Sequence, residues 1–112
     1  MHEDTVYIGH FGSSVDQNGN QLQTVEAQAR QTFSNLDGAL HEIGLSLKNL
    51  LKVTVILRKI SDFDAMHDVW KTIFPSNYLV KTTITSDFVD DHCLIQIEGV
   101  ANTKQGSRAS LS

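Results

Sequence analysis

Lys81 lies in the middle of a run that is otherwise apolar and threonine-rich, Tyr78 to Thr85 (YLVKTTIT). A lysine supplies a compact positive charge with three donors, which suits an anion and a carboxylate in particular. The same residue on an edge strand can instead be a solvated charge that keeps the sheet from pairing with foreign strands. Gln96 is placed comparably, inside Cys93 to Ala101 (CLIQIEGVA). An amide in an apolar strand needs hydrogen-bond partners if it is buried. If the two runs pair as a hairpin around the acidic 86–92 segment, one register sets Lys81 opposite Gln96. Opposed residues share a sheet face, so a cation and an amide would then meet in a small-ligand site. Gln96 reads equally well as a plain polar position on a wet face.

The remaining reactive side chains carry less. His2, His10, His41, His67 and His92 show no metal-ligand spacing. Asp90-Asp91-His92-Cys93 has suitable atoms but follows no known metal pattern, so no metal or cofactor is expected. Cys93 reads as a small core residue at a strand start and has no assigned base to make it a nucleophile. Phe63 and Trp70 read as core rather than as a stacking platform. Gly9 and Gly12 precede a turn, not a helix, and so form no phosphate-binding loop.

These residues must be positioned by a helix–strand–helix block, Val25 to Phe74, that holds most of the apolar side chains. In its first helix Ala29, Phe33, Leu36, Leu40 and Ile43 recur at the spacing of one helical stripe. Thr24 can cap its start, and Gly44 can end it in a left-handed turn. Leu51 to Leu57 (LKVTVIL) reads as a strand buried on both faces. Ser61-Asp62-Phe63-Asp64 is a capping-box signal for a second helix. That helix puts Phe63, Met66, Val69, Trp70 and Ile73 on one face and stops at Pro75.

Residues 5–11 (TVYIGHF) read as a first strand. The Asn18-Gly19 turn leads to a short second strand near 21–23,. The expected order is β-β-α-β-α-β-β, an α+β domain with both helices on one face of a mixed sheet. One domain over residues 1–101 and a polar tail over 102–112 account for the chain,. The other sheet face, Ile56 above all, needs cover that a second subunit could give.

With 112 residues and one cysteine, the chain suits a single domain with a real core in a reducing cytoplasm. No apolar run approaches the ~20 residues of a membrane span, and no leader is visible. A formal charge of −4 without a basic stripe argues against nucleic acid as a partner.

At this point the motifs resemble a known family. Gln28, Asn35-Leu36, Leu51-Lys52-Val53-Thr54-Val55, Asp62-Phe63 and the closing Ile95-Gln96-Ile97-Glu98-Gly99-Val100-Ala101 are similar to the YjgF/RidA family over about residues 5–101. The resemblance implies a chorismate-mutase-like domain that assembles as a homotrimer with ligand clefts between subunits. It also implies deamination of reactive enamines and imines. There an arginine of a Pro-x-Arg motif clamps the substrate carboxylate, and a glutamate of the last strand positions or activates water. In this chain those positions read Lys81 and Gln96, the family's second-helix asparagine reads His67, and its first-strand Ser-Gly-Gln reads Gly9-His10-Phe11. The leading Pro-Tyr-Ser signature has no counterpart.

Lysine attracts a carboxylate without the two parallel bonds of an arginine. Glutamine holds a water but takes no proton from it. The resemblance therefore implies a pocket for a small anionic metabolite, lined by Lys81, Thr83, Gln96, His67, His10 and Phe11, with the standard deaminase chemistry altered. Lys81 and Gln96 are the candidates for any catalytic role. An active enamine/imine deaminase and a non-enzymatic regulatory module are the rival expectations.

Overall fold

Leu50 to Leu57 is the strand around which the other elements assemble. The computed structural model describes residues 5–74 and 79–103, without the side chain of His10. Strand β1 (Thr5–Phe11) is followed by helix α1 (Val25–Glu42), β2 (Leu50–Leu57), α2 (Phe63–Ile73), β3 (Val80–Thr85) and β4 (Ile95–Asn102). The sheet order is β1-β4-β2-β3. β4 runs antiparallel to both of its neighbours, β1 and β2, and β3 runs parallel to β2.

The α+β architecture is as expected, with two differences of detail. The Asn18-Gly19 turn forms with Gly19 at φ 85°, but the strand expected after it is only an isolated bridge, Val15 to Gln21. Asp16 holds this turn by accepting from the backbone N–H groups of Asn18 and Asn20. Its side chain satisfies the donors that a ladder would otherwise take. The second difference is larger: the hairpin expected between the last two strands does not exist. The connection from β2 passes through α2, so β3 arrives parallel at the free edge of β2. β4 then inserts on the other side of β2.

Helix α1 starts where Thr24 accepts from the Ala27 N–H and turns out at Gly44, φ 81°. Ala29, Phe33, Leu36 and Leu40 are buried, but Ile43 is 54% exposed, because it lies in the C-cap where the helix unwinds before the glycine. A 3-10 turn at Ile60–Asp62 precedes α2, and Asp62 makes no side-chain cap. Pro75, expected to stop α2, lies outside the described residues, as does the polar segment beyond Thr103.

The core fills the space between the helices and one sheet face. Val53, Val55, Leu57, Ile95, Ile97 and Ala101 meet Phe33, Leu36, Met66, Val69 and Trp70 there. Phe33 sits edge-on to both Trp70 and Phe74, with ring centroids 5.7 and 5.6 Å away, a favourable aromatic arrangement. On the opposite face Ile56 is buried rather than in need of cover, since Gln96 and Ile84 flank it from the neighbouring strands. On this face Tyr7, Val80 and Ile84 are exposed apolar residues.

Candidate functional site

Pleating sends alternate side chains of β3 to opposite faces. Lys81 pairs with Val53 and Thr83 with Val55, so both point toward the helices. β3 is the sheet edge, and α2 lies over it with Phe63, His67 and Trp70 spaced four and three residues apart on one side of the helix,. The Lys81 Nζ lies 2.6 Å from His67 Nδ1. It also sits 4.9 Å from the Trp70 ring centre and 5.3 Å from that of Phe63. An ammonium can only donate, so the Lys81 Nζ is placed to donate to His67 Nδ1,. The His67 ring is stacked on Phe63, centroids 5.5 Å apart and planes 10° from parallel.

Lys81 is half-buried, and desolvation lowers its pKa below the ordinary lysine value,. The aromatic faces act in the other direction, because they attract a cation. Among the described residues no carboxylate forms an ion pair with it. The result is a half-buried cation with an imidazole and two rings for neighbours. Trp70, expected only in the core, is both a core residue and a wall of this site. The signal in the sequence was His67 set between two aromatics at helical spacing.

Gln96 is elsewhere. It pairs with Ile56 and lies on the face opposite Lys81, about 10 Å further along the sheet at ~3.3 Å per residue. Its neighbour is the end of β1: a Cβ on Gly12 would come 2.9 Å from Gln96 Cγ and 3.0 Å from the Ile95 carbonyl oxygen. A side chain here would force Gln96 or the backbone to shift. Phe11 pairs with Ile97 after an irregularity in the β1–β4 register and packs against the core. His10 belongs to the same stretch of β1. Within one chain the anticipated site residues therefore form two groups. Lys81, His67 and Thr83 lie at the β3 edge, whereas Gln96, Phe11 and the His10 position lie toward the β1 edge.

The loop between β3 and β4 is held by residues whose role the sequence reading did not assign. Gln28, 1% exposed, donates from Nε2 to the carbonyls of Leu22 and His92 and accepts the Leu94 N–H on Oε1. Arg58 donates to the Cys93 and Asp90 carbonyls and lies over the Phe88 ring. Asp90 accepts from the His92 N–H and from Ser14, which hold its carboxyl below the usual range, the His92 bond first. Burial raises the Cys93 thiol pKa, consistent with a packed rather than a reactive cysteine. Gln28 was recognisable as a polar residue on an apolar helix stripe.

The open face carries one further polar group. Tyr7 donates to Glu98, and this bond raises the tyrosine pKa. The pair borders a shallow depression of about 230 Å³ with Lys52 and Thr54.

Residues 1–103 match the model of the family described as endoribonuclease L-PSP. The human 2-iminobutanoate/2-iminopropanoate deaminase is 31% identical over 110 residues, covering 96% of this chain and 79% of its own. The corresponding Dermatophagoides farinae protein is 26% identical over 98 residues, 87% of this chain and 77% of that one. Among solved structures, Escherichia coli TdcF with bound serine superposes with a TM-score of 0.81 at 21% identity, over 93% of this chain and 84% of that one. Yeast Mmf1 gives 0.79 at 22% identity, over 93% and 83%.

Proposed function

This chain belongs to the endoribonuclease L-PSP family, also called YjgF/RidA, and from that premise we propose that it binds a small carboxylate metabolite in a pocket shared by two chains of a homotrimer. The observation that carries this reading is the placement of Lys81 and Gln96 on opposite sheet faces. A small molecule touching Lys81 on the helix side of β3 cannot touch Gln96 beside Gly12 in the same chain. A second copy, bringing its β1 edge to the β3 edge of the first, completes the pocket. Lys81 holds the anion, and His67 and Thr83 line its side. Gln96, Phe11 and the His10 position of the neighbouring copy close it. The exposed Tyr7, Val80 and Ile84 supply apolar surface for such an assembly.

The altered residues set the chemistry. An ammonium attracts a carboxylate but lets it pivot, where a guanidinium fork would fix it. An amide orients water without removing its proton, and general-base help is worth ~10²–10⁴ in rate. Carboxylate binding is thus retained and imine hydrolysis is largely lost. The names of the relatives favour a second reading, an active imine deaminase. Both readings are of a cytoplasmic protein that acts on small molecules rather than nucleic acid, which its single buried cysteine and net negative charge support.

The test has two arms. Titration calorimetry with 2-hydroxybutanoate, which has no keto group, should show binding that Lys81→Met abolishes and Gln96→Ala changes less. Ammonia release from freshly generated 2-aminoacrylate should stay near the spontaneous rate, and should rise in the double variant Lys81→Arg, Gln96→Glu. Robust turnover by the unchanged protein would establish the deaminase reading instead.

A further inference from the structure

The Lys81 surroundings satisfy more than the needs of an anion site. A side-chain nucleophile is recognised by a base within hydrogen-bond reach and a third group that orients the base. Here the amine nitrogen is 2.6 Å from His67 Nδ1, and the imidazole is held by its stack on Phe63. The amine has no carboxylate ion-pair partner among the described residues to keep it charged. Lys71, by contrast, is paired with Asp68 at 3.4 Å and is well exposed. Lys81 is half-buried rather than sealed.

We propose that Lys81 is a carbonyl-condensing amine that forms a reversible imine with a small 2-oxo acid, with His67 as its proton acceptor. The proposal rests on the reading of this pocket as one for small carboxylates and adds a covalent step to it. The ammonium first attracts the carboxylate. His67 Nδ1 then takes one proton from Nζ, and the freed electron pair attacks the carbonyl carbon. The carbonyl π bond becomes an alkoxide, which takes a proton to give a carbinolamine. Nitrogen loses its second proton, the hydroxyl leaves as water after protonation, and the C=N bond forms. One amine and one carbonyl give one imine and one water, so no oxidant or reductant is consumed. The desolvation that lowers the lysine pKa enlarges the neutral fraction that the step requires,.

The experiment is reductive trapping of the native protein with glyoxylate and cyanoborohydride near neutral pH, read by peptide mass mapping. A single reduced adduct on Lys81 is expected, forming at least ~100-fold faster than on Lys71, the low end of general-base assistance. Replacing His67 by Phe should slow labelling of Lys81 toward the rate seen on Lys71. Lys81→Arg should lose the adduct, because a guanidinium has no free amine electron pair to condense with the carbonyl. Labelling of Lys81 no faster than of Lys71, with 2-hydroxybutanoate binding intact, would overturn the covalent step and leave the anion site standing. Absence of both labelling and binding would overturn the two together.

Discussion

Lys81 is held in a position that costs it solvation. Its charge is partly removed from water, and what it gains is an imidazole acceptor and two aromatic faces. Because its folded pKa lies below the unfolded value, the unfolded chain binds more protons between the two. The penalty is therefore complete below the folded pKa, and stability rises as pH climbs through that window. Lys81→Met keeps an unbranched side chain against the rings and removes the charge. Urea melts should find it at least as stable as the native protein at neutral pH. Its advantage should shrink as pH enters the lysine range, and 2-hydroxybutanoate should no longer bind. A variant clearly less stable at neutral pH would mean that the aromatic contacts outweigh desolvation. The chemical type of Lys81 was legible from its place in an apolar run, but its partner was not. Pairing Lys81 with Gln96 assumed a hairpin, and a parallel strand delivered through α2 turns the two residues to opposite faces. His67 entered through family resemblance, and only the register shows that it meets Nζ.

At the scale of elements, two side chains decide whether the scaffold holds its shape. Phe33 joins α1 to α2 through Trp70 and Phe74. Phe33→Ala should cost about 3–5 kcal/mol in urea unfolding, and a loss under ~1 kcal/mol would mean that the aromatic cluster relaxes to fill the space. Gln28 joins α1 to the chain on both sides of it through three hydrogen bonds. Gln28→Ala leaves buried backbone groups without partners and should cost about 2–4 kcal/mol. Hydrogen exchange at Leu94 should accelerate in the same variant, and unchanged protection there would show that water replaces the amide. The helices were readable because their stripes repeat locally, as Ala29, Phe33, Leu36 and Leu40 do. Ile43 fits the same spacing but lies where Gly44 unwinds the helix. The parallel β2–β3 pairing was not readable, since strand partners are set by contacts remote in sequence.

At the scale of the whole molecule, one chain has two incomplete edges. The β3 edge offers a cation in an aromatic setting, and the β1 edge offers an amide packed closely against a glycine. The family and the α+β fold followed from motifs spread along most of the chain, because those motifs record helix stripes and strand runs. The assembly depends on surfaces between copies, for which a single chain carries only exposed residues such as Tyr7, Val80 and Ile84. The most direct measurement is a backbone NMR titration of the native protein with 2-hydroxybutanoate, with the mass in solution checked by light scattering. Resonances of Phe63, His67 and Lys81 should shift together with those of Phe11, Gly12 and Gln96, following one dissociation constant, in a species about three times the 12.4 kDa chain,. Shifts confined to one group, or both groups moving in a monomer, would contradict a site built from two chains.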